Sequence, residues 1–327
     1  RDETAAEEGE KGVFEAGCYC FIVPTAVYAT VYATLTTTAA DLLSDGATLT
    51  NDGTLNLGGD DTITNLFGSK TGTINLGVNN LLLLGGNYFE GRINGEGAVS
   101  AGPGDINLGG DNTFTGDLTV LSGSTTTLTG SADGNVTIAA GGELTLGSAE
   151  RIADTATLEV EGTLNTTGEE TVTSLTASGT INGEGTVRAL NTDLDGATVN
   201  ANLGSGNLNT AGDTTLNGSA NADSLTVENG TLTVNGALTN NTATVTVENG
   251  TLAANGTIAA SSIDVQGGAT LTTEEAERLS DGVTLNADGT VSLGGDETIG
   301  VLSGSGTIAN NGNGLTVNQT SDTAFTG

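Results

Sequence analysis

A β-solenoid is the fold class this sequence predicts, and three observations predict it. The heptapeptide Thr-Val-Glu-Asn-Gly-Thr-Leu occurs at residues 226–232 and again at 246–252, 20 positions apart, and a looser Val-Gln-Gly-Gly-Ala-Thr-Leu follows at 265–271. Self-similarity at such a period marks a repeat whose units bury their apolar side only by stacking. The composition agrees: 52 Gly against two Pro, no Met and no Trp, with Thr, Asn, Leu and Val dominating. These residues suit strands and turns, and helical periodicity is nearly absent. Apolar residues also alternate with polar ones, as at Leu55 and Leu57, Leu144 and Leu146, and Leu232 and Val234. One side of each short strand therefore faces a dry interior and the other faces water.

Taken in order, residues 1–16 are acid-rich, with Asp2, Glu3, Glu7, Glu8, Glu10 and Glu15 against Arg1 and Lys11. Such a tail does not fold by itself. Residues 17–37 differ from everything after them, holding Tyr19, Tyr28, Tyr32, both Cys and Pro24. Their alternation predicts one or two strands. These serve either as a cap over the open end of the solenoid or as a strand that pairs with another subunit. Cys18 and Cys20 stand two apart, where an extended strand separates Cα atoms by ~6.6–7 Å, beyond comfortable disulfide reach. Two buried apolar side chains, or a bridge to a neighbouring copy, are the readings left open.

From residue 39 the repeats take over. Residues 43–66 return as 279–302, with a degenerate middle copy at 152–175, and each copy is followed by Gly-Thr-Ile, at 72–74, 179–181 and 306–308. Spacings between equivalent triplets put one coil at roughly 17–20 residues, so that 39–327 makes about 15 coils stacked at ~4.8 Å. Asn-Gly and Asp-Gly pairs such as Asp52-Gly53, Asn229-Gly230 and Asn255-Gly256 form corners, since both residue types tolerate positive φ. Two regions are expected: 1–38, the acidic tail with its strand segment, and 39–327, the solenoid.

Residues 95–116 read GEGAVSAGPGDINLGGDNTFTG and residues 304–327 read GSGTIANNGNGLTVNQTSDTAFTG. Both resemble the autotransporter-associated β-strand repeat, with its Gly-x-Gly-Thr-apolar opening and Asn-Thr-aromatic-Thr-Gly close. The SDGATLTNDGTLNLGGDDTI units are similar to segments between such repeats in large bacterial surface proteins. Together the likeness covers most of residues 41–327. It implies a right-handed parallel β-helix, secreted from or displayed on a Gram-negative cell. Two departures matter. The translocator barrel that usually ends the family is not in this sequence, and the second repeat stops at Phe325-Thr326-Gly327 where the first runs on through Asp117-Leu118-Thr119-Val120.

Forty acidic residues against seven basic give a formal charge of −33, which repels nucleic acid and anionic membranes. No apolar run approaches the length of a transmembrane helix. No charged-then-apolar leader opens the chain, so any signal peptide is expected to have been removed. The absence of His removes Ser-His-Asp and Cys-His arrangements. Glu169-Glu170 and Glu274-Glu275 are adjacent, so on a strand each pair would point to opposite faces and could not flank one bond. The Gly59-Asp60, Gly110-Asp111 and Gly295-Asp296 turns lack the strict short period of calcium-loaded repeats and read as plain turns. No cofactor is expected, and Ca²⁺ enters only as a bridge between surface carboxylates. The sequons at Asn229 and Asn249 coincide with turn asparagines and say little about glycosylation. Lys70, a candidate for an isopeptide cross-link, reads better as a solvated side chain.

The expectation is a non-enzymatic extracellular homopolymer: a surface fibre or coat whose subunits stack head to tail. Cys18, Cys20, Val27, Tyr28, Val31 and Tyr32 of one subunit would cover Leu315, Val317 and Phe325 of the next, a heterologous contact that propagates. The rival is an autotransporter passenger, a stalk or adhesin that binds a host surface or glycan. A polysaccharide-active β-helix enzyme is a distant third.

Overall fold

Triplets such as Thr-Leu-Asn and Thr-Val-Ser are too short for a helix. They carry β-branched residues at outward positions, so they extend, and a Gly, Asn or Asp then turns the chain. The computed structural model describes residues 13–14, 19–20, 28–43, 46, 48–240, 242–319 and 323–327, and every regular element among them is a strand. Strands pair in parallel with their counterparts one coil on, and about 16 turns stack into a β-solenoid. Paired residues lie from 16 positions apart (Asn191 with Asn207) to 22 (Ile263 with Leu285). This spread is wider than the repeats predict. The additional residues of the longest rung go into a bend at 274–277, so the ladders on either side keep their register.

The chain divides into two compact units, one of Arg1–Thr137 with Gly141–Gly147, the other of Ile138–Ala140 with Ser148–Gly327. In the first unit, Tyr28–Val31 forms the opening rung by pairing in parallel with Thr48–Asn51. Its other edge is covered antiparallel by Tyr19–Cys20, and Val13–Phe14 covers Thr34–Thr36 in the same way. Leu35, Leu55, Ile74 and Ile93 then stack one above another inside, and the last three are fully buried. Burying one such side chain is worth about 1.5–3 kcal/mol. Phe89 is also fully buried, in space that only glycine leaves open. A Cβ on Gly91 would stand 2.5 Å from its ring and 2.3 Å from the Gly72 carbonyl oxygen.

In the second unit the interior column runs Leu232, Leu252, Leu271, Val291 and Ile308. It belongs to the first of two long ladders. That ladder comprises Thr163–Thr166, Thr180–Gly183, Thr198–Val199, Thr214–Leu216, Thr231–Val234, Thr251–Ala254, Thr270–Thr273, Thr290–Leu293 and Thr307–Ala309. The other comprises Thr157–Val160, Glu169–Ala177, Thr186–Asp195, Asn207–Ala211, Ser224–Val227, Thr244–Val247, Ser262–Val265, Thr284–Ala287 and Val301–Ser303. Inward residues of both are buried until the rung at 301–317, where Val301, Leu302, Ile308, Leu315 and Val317 are only half-buried.

Candidate functional site

Three features stand out: carboxylates clamped at corners, and one distinctive outward face on each unit. The corners hold the perturbed acids. Asp41, Glu150 and Glu277 adopt the left-handed conformation, with φ of 52°, 53° and 53°. Such a corner turns successive backbone N–H groups toward one point and makes a concavity suited to an anion. The chain fills it with its own carboxylate from the next rung. Arg151 N and Ile152 N donate to the two oxygens of Glu170 at 2.8 and 2.7 Å. Arg278 N and Leu279 N donate to Glu297 at 2.8 and 3.1 Å. In the first unit Leu43 N donates to Asp61 Oδ2 at 3.2 Å.

Asp61, Glu170 and Glu297 are all buried. Burial outweighs the amide hydrogen bonds and pushes Asp61 up to about 6 and Glu170 up to about 7, and Glu297 is raised for the same reason. The acidic corner residues Asp41, Glu150 and Glu277 add repulsion in turn, and Arg151 opposes it at Glu170. Exposed clamps behave oppositely. Hydrogen bonds from Ser69 hold Asp52 below its ordinary value, and those from Ser305 do the same for Asp288. The sequence signal for the buried acids was an acidic pair after Gly at one place in each copy, GGDD, GEE and GGDE. The second acid of each pair has inward parity.

The second unit presents a face without charge. The nine Thr-initiated strands contain no ionisable residue, whereas the nine strands of the companion ladder contain Glu159, Glu169, Glu170, Arg188, Asp193, Asp195 and Asp264. On the uncharged face Thr163, Thr180, Thr198, Thr215 and Thr233 stand in one column. Thr231, Thr251, Thr270, Thr290 and Thr307 stand in a second. In a third, Asn182, Asn200, Asn217, Asn235 and Asn255 each donate from Nδ2 to the Oδ1 of the asparagine one rung below, starting at Asn165, at 3.3, 2.7, 2.7, 2.7 and 2.8 Å.

The first unit differs. Its outward column runs Thr30, Thr50, Phe67, Tyr88, Asn107 and Thr127, with Phe67 39% and Tyr88 52% exposed. The two aromatics are 21 residues apart in sequence and neighbours in register, which one coil length explains. The Tyr88 hydroxyl donates to Glu90 at 3.1 Å. A shorter polar ladder, Thr36, Asn56, Asn75, Asn94 and Thr113, lies on another sheet of this unit.

Of the residues expected to join subunits, Val31 is fully buried in the chain's own first rung and Tyr32 is 66% exposed at the following corner. Cys18 and Val27 lie outside the described residues, and for Cys20 and Tyr28 only the strand backbone is described. Leu315 and Val317 occupy Leu315–Val317, paired with Glu297–Ile299, and Phe325 bridges Gly304. Glu169 and Glu170 do point apart: Glu170 is buried, and Glu169 is exposed and ion-paired with Arg188. Glu274 and Glu275 lie in a bend instead of a strand and are both exposed. Two of the three Gly-Asp turns clamp the neighbouring rung, Asp60 accepting from Asn80 N at 2.7 Å and Asp296 from Gly314 N at 2.6 Å.

Among the described residues no cluster of three or more acidic, Cys or His side chains is placed to hold a metal ion, and no helix is long and apolar enough to cross a membrane. A shallow groove of about 310 Å³ between Asp154, Val172, Arg188 and Leu190 is bordered by the Arg188–Glu169 pair, so its one cation is already matched. Comparison with family models, with curated proteins and with solved structures returned no match. The reading of function rests on the geometry alone.

Proposed function

We propose that this chain is a structural, non-catalytic β-solenoid of an extracellular or bacterial cell surface, a subunit of a fibre or coat that grows by stacking coil on coil. The observation that carries this reading is the repetition, rung after rung and in register, of the same inward apolar and outward Thr or Asn residues. Such a body gains its stability from neighbour contacts, and any further rung of the same pattern adds to it. The half-buried Val301, Leu302, Ile308, Leu315 and Val317 form the surface on which a second copy would stack. At the opening rung of the first unit the chain's own Tyr19–Cys20 and Val13–Phe14 cover the first coil antiparallel, so the matching surface would be the outer side of that cover together with the exposed Tyr32. A subunit with a charge of −33 must overcome self-repulsion, so assembly strengthens with salt or millimolar Ca²⁺ through screening and bridging.

Negative-stain microscopy and light scattering of the full chain test this directly. Filaments that lengthen with salt and shorten in the Leu315→Asp/Val317→Asp variant are expected. Particles that stay single at every salt and protein concentration would reject the fibre. The second reading, a passenger that binds a glycan or host surface, is favoured by the exposed Phe67–Tyr88 pair. Glycan capture lost in the Phe67→Ala/Tyr88→Ala variant, without filaments, would replace the first reading by this one.

A further inference from the structure

The second unit separates its charge from one face. Twenty-one acidic side chains stand from Glu150 to Glu297, yet none falls on the nine strands that begin at Thr163 and end at Ala309. The neutral face is also regular. Each Thr column runs through five rungs and the Asn ladder through six, and within a column successive rungs offer the same hydroxyl, methyl or amide groups at ~4.8 Å. A carboxamide has two donor hydrogens and two acceptor sites, and the ladder engages one of each at Asn182, Asn200, Asn217 and Asn235. Matching Asn and Thr arrays from facing sheets interdigitate as dry zippers when their repeats coincide.

We infer that this neutral Thr and Asn face is the surface through which two copies of the chain pack side by side. The occupant is a second copy for two reasons. Two molecules of this charge repel wherever carboxylates meet, and this broad face brings none of its strand residues' charges together. The repeat of one copy also matches the repeat of another by construction, which no unrelated flat partner guarantees. The sixteen Thr and Asn positions of the three columns, each ~4.8 Å by roughly 7 Å, give a face on the order of 500 Å², so a two-fold pair buries about 1,000 Å². That is the lower end of stable interfaces, and the pair is accordingly weak. A two-fold contact is closed, so it doubles the mass and stops, whereas stacking at the ends continues. The inference deepens the structural reading above, on which it rests, by naming the lateral partner within a fibre or coat.

Sedimentation over a wide concentration range at raised salt tests it, on the full chain carrying Leu315→Asp/Val317→Asp so that end-to-end filaments do not mask the pair. This end variant is expected to reach twice the monomer mass. Adding Thr198→Glu/Thr233→Glu to it leaves it single, while adding Thr226→Glu on the companion ladder leaves the pair intact. Equal thermal unfolding of the three proteins shows that they are folded, and if the protein with both glutamates is not, Thr233→Glu alone takes their place. Pairing that survives the glutamates on the neutral face overturns the inference, as does an end variant that never pairs. Retention on microcrystalline cellulose that is lost with the same glutamates, without pairing, assigns the face to a glycan and overturns it too. A wild type that forms no filaments at any salt, while the end variant still pairs, leaves this inference standing and removes only the stacking proposal.

Discussion

The two units use one coil and present different surfaces. Inside, both stack Leu, Ile and Val in register. Outside, the first carries an aromatic pair, Phe67 and Tyr88, and acids at Asp105 and Glu143 on the same sheet. The second carries neutral Thr columns and an Asn ladder of six residues. Among the described residues the first unit has one corner acid that is both buried and raised in pKa, and the second has two. The difference teaches that the interior sets the fold and leaves the outer positions free to specialise. Mutations should therefore sort by direction: inward changes weaken a unit, and outward changes alter what it meets.

The largest effect is expected at the tightest interior place. Phe89→Ala in the first unit removes a fully buried ring among glycines and should cost about 3–5 kcal/mol. Gly91→Ala should be comparably disruptive, because its Cβ would meet the Gly72 carbonyl and the Phe89 ring at once. Denaturant unfolding measures both. A cost under about 1 kcal/mol for either would mean that the first unit is not packed at this rung.

The buried acids come next, and here the second unit should respond more than the first. Each acid has a pKa raised on folding, so the folded chain binds protons that the unfolded chain has released. The stability these groups contribute is complete below their ordinary values, 3.8 for an Asp and 4.5 for a Glu. It is lost as pH rises through about 6 for Asp61 and about 7 for Glu170. A pKa displaced by one pH unit corresponds to roughly 1.4 kcal/mol, so Glu170 alone makes the fold about 2–3 kcal/mol weaker near pH ~8 than near pH ~4.5. Glu170→Gln should flatten that part of the profile. Glu170→Ala strands the Arg151 and Ile152 amides and should be destabilising at every pH. A thermal midpoint that does not move across this pH range would contradict the assignment.

The coil itself was legible in the sequence. The echo at 226–252, the alternation at Leu232 and Val234, and the Asn-Gly corners at Asn235 and Asn255 each state one local rule, and all of them point to the same ladder. What stayed hidden depends on register across rungs. Phe67 and Tyr88 look like isolated aromatics until one coil length brings them side by side. Asp61, Glu170 and Glu297 look like turn acids until strand parity turns them inward. The rung from Ile263 to Leu285 is longer than the repeats predict because a corner loop absorbs residues without disturbing the strands, and no period analysis senses that. The neutral outer ladder was visible only as an abundance of Thr, since composition does not say which positions share a face.

The polar ladders should give a smaller effect, and one that again differs between units. Asn200→Ala sits mid-ladder and removes hydrogen bonds to both Asn182 and Asn217, so about 1–2 kcal/mol is expected. Asn75→Ala in the first unit also breaks two, to Asn56 and Asn94, but one of them is long at 3.3 Å, and its cost should be the lower. Costs near zero for both in denaturant unfolding would show that the ladders are solvated decoration and not part of the stacking energy.

The smallest effect on stability is expected for Phe67→Ala/Tyr88→Ala, within about 1 kcal/mol, because both rings are exposed. Their value lies in the contrast with the Thr face. If the aromatic pair serves recognition, its loss abolishes capture on insoluble glycans and leaves pairing and filaments untouched, while glutamates at Thr198 and Thr233 do the reverse. If instead the aromatic variant unfolds as readily as Phe89→Ala, the rings are structural. The division between inward residues that build the coil and outward residues that face a partner then fails in the first unit.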